Sequence, residues 1–180
     1  EGTPVDSQFH RGASNLTYRL SYDNENLVVR RPPFGTKAKS AHSMIREHRI
    51  MNSLKPVYPS VPDTLYYSDD ENIIGSEFYV MRQVEGQVIH KNIPELWKFE
   101  TEDTRRFCLS FWDKLIELHQ VDYIAAGLGD FGKPEGYAER QVLGWNGRFE
   151  RAITADVNEF EDVRNWLVEN LPPESGSHSV

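Results

Sequence analysis

One cysteine, Cys108, is all that 180 residues contain. That excludes a disulfide framework and any cysteine-based zinc site. Long apolar runs are missing too, since none reaches the ~18–20 residues needed to span a bilayer. The opening stretch EGTPVDSQ lacks the basic, apolar and cleavage regions of a secretory leader, so none is expected. Basic residues are the minority, 20 against 28 acidic, for a net charge of −8. This balance opposes general nucleic-acid binding, which needs a basic surface. Motifs of hydrolytic and metal chemistry are also lacking. Histidines 10, 42, 48, 90, 119 and 178 are scattered without H-E-x-x-H, and G-x-S-x-G does not occur. His42 and His48 stand six apart, not at the i, i+4 spacing of a helical ligand pair. These absences leave a soluble, reduced, cytoplasmic domain with no nucleic-acid or membrane partner. Aromatics are plentiful, with 4 Trp, 8 Tyr and 9 Phe, and argue against disorder. The length allows one ordinary domain or two small lobes.

The patterning changes along the chain. Residues 5–9 read as a short strand. LTYRLSY alternates Leu16, Tyr18, Leu20 and Tyr22 on one side, the period of a half-buried strand. Asp23 to Asn26 is a turn signal, and Leu27 to Arg31 the return strand of a hairpin. Pro32-Pro33-Phe34-Gly35 stops it. Over 40–54, Met44, Glu47, Met51 and Leu54 fall on one helical face, with Ser40 as the expected N-cap and Pro56 beyond the end. Asp63–Tyr67 and Glu77–Met81 read as a second hairpin around a turn at 69–72. After about residue 94 the period is helical, in 104–120, 136–153 and 158–171, with a Gly-rich connection at 122–134. Cys108 lies on the first of these helices as an expected core residue. Strands followed by helices give an α+β class, with one lobe of each kind.

Four constellations could carry chemistry. The turn Gly12-Ala13-Ser14-Asn15 is small and polar, so its backbone N–H groups could approach phosphate oxygens; taken alone it is ordinary turn chemistry. Arg30 and Arg31 end the third strand, and alternation sends them to opposite faces. One could hold phosphates under the Gly turn while the other meets solvent. Glu47 lies on the apolar stripe of its helix, where an unpaired carboxylate is costly, so a cation from the sheet is its natural partner. Around it, residues 28–55 contain seven Lys or Arg against this one acid, a local reversal of the overall charge. Finally, Tyr79 to Gly86 reads as a strand leaving through a short linker, whose backbone could meet an adenine edge. Together these stand in the order of a protein-kinase-like small lobe, an antiparallel sheet plus one helix, followed by the first helices of an α-helical large lobe.

The runs FHRGASNLTYRL, LVVRRPPFG, KSAHSMIREHRIMNSLKPVYPSVP, IIGSEFYVMRQVEG and GLGDFGKPEGYAERQV resemble the aminoglycoside-phosphotransferase-like kinases. More narrowly, they resemble the branch related to the kinase-like domain of some acyl-CoA dehydrogenase fusion proteins. The resemblance runs from about Val5 to Pro173. It implies a nucleotide-binding lobe at 1–84 and, at 85–180, a linker with the first helices of the second lobe. Gly12, Ala13, Ser14 and Asn15 would form the loop over the ATP phosphates. Arg30 would stand where the family has a phosphate-contacting lysine, a departure because Arg presents a planar fork. Glu47 would match the helix glutamate that pairs with this cation. Met81 would back the adenine pocket, and Gln83 and Val84 would supply hinge backbone contacts. The implied cofactors are ATP and Mg²⁺, and the implied partner is a small-molecule hydroxyl substrate, an aminoglycoside or a hydroxyacyl compound.

Two literal motifs do not fit their usual meaning. Asp130-Phe131-Gly132 follows a helix rather than a catalytic loop and strand, and the overlapping G-x-G-x-x-G at 127–132 leads into Lys133-Pro134. Both are expected to be a structural loop. The family's H-G-D-x-x-x-x-N loop does not occur in these 180 residues, and the tail PPESGSHSV resembles a break just before it. No catalytic base and no metal ligands are therefore assigned, and the 180-residue chain alone is expected to be inactive. The helices after residue 94 are expected to need a core that the missing half completes. A non-catalytic nucleotide-binding or pseudokinase-like module, and a plain interaction domain, remain the alternatives.

Overall fold

The structure is a computed structural model that describes residues 2–9, 15–35, 43–89, 91–174 and 176. It divides into two compact units, Glu1–Asp122 and Tyr123–Val180.

The first unit is built on a five-stranded antiparallel sheet in the order β1-β2-β3-β5-β4. β1 (Val5–Gln8), β2 (Leu16–Ser21) and β3 (Asn26–Arg31) form a meander. The β2–β3 hairpin follows the Tyr/Leu alternation and turns over Asp23 to Glu25. β5 (Phe78–Arg82) inserts beside β3, and β4 (Thr64–Ser68) takes the edge.

Helix α1 (Met44–Leu54) packs against β4 and β5. It begins later than a cap at Ser40 would place it. Ser40 lies outside the described residues. The N-cap is Ser43, extended at φ −75°, ψ 108°, with Oγ accepting from the Arg46 N–H at 3.4 Å. The expected turn at 69–72 is instead the start of a one-turn helix, α2 (Glu71–Ile74). Asp70 caps it by accepting from Asn72 N–H at 2.9 Å. Gly75 closes it at φ 80°, a left-handed conformation that glycine adopts without a Cβ penalty.

The core lies between α1 and the middle of the sheet. Met44 is fully buried, and Tyr79, Leu54, Val28 and Phe78 are nearly so. Phe78 and Tyr79 are adjacent in β5 and point to opposite faces, so both faces of this inner strand are covered. After α1, Tyr58 is buried and donates its hydroxyl to the Lys114 carbonyl at 3.1 Å. This ties the loop to α3 (Thr101–His119), which follows a short 3₁₀ turn at Glu95–Trp97. Cys108 was expected in a core but is exposed, and Phe111 and Trp112 beside it are more than half exposed. The helical period marks an apolar face without fixing what covers it.

The second unit carries α4 (Tyr137–Ala152) and α5 (Glu161–Glu169), which pack on each other. Asp130-Phe131-Gly132 lies in an irregular turn before α4, with Phe131 N–H bonded to the Leu128 carbonyl at 2.9 Å and Leu128 buried. The element directly before it is helix α3 and not a strand, in keeping with a structural loop. No helix among the described residues is long and apolar enough to cross a membrane.

Candidate functional site

The register of the sheet decides which residues can meet. Arg30 stands directly across from Tyr79, and Val28 across from Met81. Residues paired across a ladder, and those two apart along a strand, share a face. Arg30, Val28, Tyr79 and Met81 therefore line one side of β3 and β5. This is the side of Glu47, because the Arg30 Nε lies 2.8 Å from Glu47 Oε2. The cation partner expected for Glu47 is thus Arg30. The Nε–H does not point squarely at that oxygen, so the contact is an ion pair rather than an aligned hydrogen bond. About a third of each side chain is exposed, so the pair alone contributes at most about 1 kcal/mol.

Glu47 has two further partners. Asn15 Nδ2 donates to Oε1 at 2.9 Å, and the Tyr79 hydroxyl donates to Oε2 at 3.0 Å. The carboxylate on α1 is held by side chains from β3, from β5 and from the residue just before β2. Tyr79 is only 2% exposed. Burial, then the Glu47 charge and the hydrogen bond, push its phenol well above the usual tyrosine range, so it stays a donor. Among the described residues no group takes either Nη of Arg30, which leaves that end of the fork available to an anion.

Arg31 corrects one expectation. It does lie on the opposite face from Arg30, but it is buried and does not meet solvent. Its Nη1 donates to the Ile74 carbonyl at the end of α2 at 2.7 Å, and its guanidinium lies 4.4 Å from the centre of the Phe34 ring. Alternation assigns a side of the sheet. Whether that side is wet depends on α2 and the Pro32–Phe34 segment, which cover it here.

Of the other expected site residues, Gly12, Ala13 and Ser14 lie outside the described residues, and Asn15 is brought to Glu47. Met81 is half-buried on the Arg30 face. Gln83 spends its backbone N–H on the Asn26 carbonyl at 3.0 Å, so of its backbone groups the carbonyl is left to face a ligand. Val84 is exposed and follows directly. Sequence reasoning missed Tyr79. Its position two before Met81 in an alternating strand, together with the need of Glu47 for donors, was the available signal. Among the described residues no three His, Cys, Asp or Glu side chains cluster as metal ligands.

A second network borders the first. Tyr67 donates its hydroxyl to Glu77 Oε2 at 3.2 Å, and its phenol is pushed up to about 12 by burial and then by the charge and hydrogen bond of Glu77. Between Tyr67 and Tyr79 sits His48, with ring centroids 5.7 and 6.3 Å away. Burial lowers the His48 pKa below its usual 6.5. The sign follows. Above pH 6.5 the ring is neutral in both folded and unfolded chains and costs nothing. As pH falls below 6.5, the unfolded chain takes up a proton that the folded chain resists, so stability is lost. Melting from pH 7.5 to 5 should lower wild-type Tm more than that of His48→Gln; parallel curves would contradict this.

The comparisons with known proteins fit this geometry. A family model described as "Phosphotransferase enzyme family" matches residues 6–180. The chain is 31% identical over 174 residues to acyl-CoA dehydrogenase family member 11 of Gallus gallus, covering 96% of this chain and 22% of that protein. It is 36% identical over 165 residues to acyl-CoA dehydrogenase family member 10 of Mus musculus, covering 92% and 15%. The relationship is to the kinase-like region of those proteins. A crystal structure from Ralstonia eutropha, described as a candidate aminoglycoside phosphotransferase, superimposes with a TM-score of 0.73 at 28% identity over 98% of this chain and 50% of its own. The chain thus spans about half of that structure and less than a quarter of these two dehydrogenase relatives.

Proposed function

We propose, for a chain that belongs to the APH phosphotransferase enzyme family, that these residues form the nucleotide-holding part of an ATP-dependent kinase for small-molecule hydroxyl groups. The observation that carries the reading is the Arg30–Glu47 pair, with both Nη groups of Arg30 left over beside a sheet and helix of this family's kind. The residues fit a nucleotide. Arg30 would hold α- and β-phosphate oxygens with a fork suited to two of them at once. Gly12, Ala13 and Ser14, with Asn15 at the loop's end, would cover the phosphates with backbone N–H groups. The Gln83 carbonyl and the Val84 N–H would meet the adenine edge, with Met81 behind it. In this reading residues 1–84 form the nucleotide lobe and 85–180 the linker and first helices of the second.

Mg²⁺, when bound, would neutralise charge on the transferring phosphoryl group. The described residues offer it no ligand cluster, so no step is assigned to it on this part of the chain. The base and the metal ligands of transfer would come from the remainder of such a kinase.

Calorimetric titration of the full chain with ATP and with adenosine tests the reading. ATP should bind more tightly than adenosine, and Arg30→Ala should cost ATP at least tenfold while leaving adenosine within about twofold, since a charge-assisted contact of about 1.5–3 kcal/mol is removed. An ATP affinity indifferent to Arg30→Ala would overturn it.

A further inference from the structure

We infer that Tyr79 and Asn15 are positioning residues that lock the Glu47 carboxylate so that Arg30 meets it as an ion pair at Nε and keeps both Nη groups for phosphate; the inference rests on the nucleotide reading above. An isolated carboxylate and guanidinium prefer two parallel hydrogen bonds. In that arrangement both carboxylate oxygens and two guanidinium N–H groups are spent on each other. The pair in this structure is different. The closest approach is Nε to Oε2 at 2.8 Å, and neither Nη is hydrogen-bonded to Glu47. Asn15 occupies Oε1 at 2.9 Å, and Tyr79 shares Oε2 at 3.0 Å.

These two donors explain why the fork does not close. Asn15 takes one acceptor position of Oε1, which the second bond would also need, and its hydrogen bond opposes the rotation that would turn that oxygen to Arg30. The plane of the carboxylate is fixed by Tyr79, whose ring is buried in β5 and cannot follow a rotating side chain. Tyr79 also remains protonated at any ordinary pH, so its donation does not lapse. The arrangement draws on β3, β5, α1 and the residue just before β2 at once. Release of either donor would let Glu47 turn onto Arg30 and take up N–H groups that a nucleotide would otherwise bind.

The test compares ATP with adenosine on the full chain. Tyr79→Phe removes one oxygen and keeps the buried ring. It should weaken ATP fivefold to twentyfold, leave adenosine within twofold, and add nothing further in a Glu47→Gln background, because it acts through Glu47. Asn15→Ala should give the same pattern from a half-buried position, and keeps the test standing if Tyr79→Phe fails to fold. ATP affinities unchanged in the variants, equal losses for ATP and adenosine, or losses that add in full to Glu47→Gln would each overturn the inference. A wild-type chain that binds neither ligand would instead overturn the nucleotide reading itself.

Discussion

Glu47→Ala is expected to cost the first unit about 2–4 kcal/mol and to weaken ATP binding at least tenfold. The larger share of the stability loss comes from Tyr79, not from the ion pair. Removing the carboxylate leaves the hydroxyl of a residue 2% exposed without its acceptor, and a buried polar group so stranded costs about 1–3 kcal/mol. Arg30 is a third exposed and can be rehydrated, so losing the pair adds at most about 1 kcal/mol. Asn15 contributes a further neutral hydrogen bond of about 1 kcal/mol or less. At roughly 2–4 °C per kcal/mol for a chain of this size, the melting temperature should fall by about 5–15 °C. Glu47→Gln keeps an acceptor for Tyr79 and should recover most of the stability while leaving ATP weak. If Ala and Gln are equally destabilising, the charge rather than the buried hydroxyl dominates, and this apportioning is wrong. Glu25→Ala, which breaks an exposed pair with Arg82, should change stability by no more than about 0.5–1 kcal/mol.

Met44→Ala should be strongly destabilising, at about 3 kcal/mol. Met44 is fully buried in the first turn of α1. Buried Leu, Ile or Met to Ala changes cost about 2–5 kcal/mol, because a cavity is added to the lost transfer energy. Ala is the better helix former, so propensity works against the loss and not with it. The next residue gives the control. Ile45 is 44% exposed, so Ile45→Ala should cost under about 1 kcal/mol. Thermal or urea melts of the two variants check this, and similar losses would mean that α1 sits on the sheet in another rotation. Since Met44 and Glu47 share a face, such a rotation would also undo the Glu47 contacts.

The sequence makes much of this site legible, for reasons that differ residue by residue. The β2–β3 hairpin is visible because its period of two is unbroken and a turn sits between the strands. The need of Glu47 for a cation is visible because a carboxylate on an apolar stripe is costly. Alternation alone does not choose Arg30 over Arg31, since it separates them without saying which faces α1; the family resemblance makes that choice. Which of them faces α1 follows from β5 pairing beside β3, a contact between residues about fifty apart. Tyr79 was hidden for the same reason, as its partner is set by strand register and not by spacing. The α1 cap at Ser43 and the α2 turn were obscured by local competition. Ser40 reads as the cap, but Ser43 is the same residue type three positions on and residue type alone does not choose between them; Asp70 serves a turn and a helix start equally well. Cys108 illustrates another limit. A helical stripe states that one face is apolar, and burial depends on what lies against it.

Nuclear magnetic resonance titration of the full chain with a non-hydrolysable ATP analogue tests the central claim most directly. The account predicts saturable shifts at the Asn15 side-chain amide, the Arg30 guanidinium, and the backbone of Gln83 and Val84, with the Arg30 and Asn15 shifts absent for adenosine. Saturable binding with shifts confined to other residues, or no shift at Arg30, would contradict it.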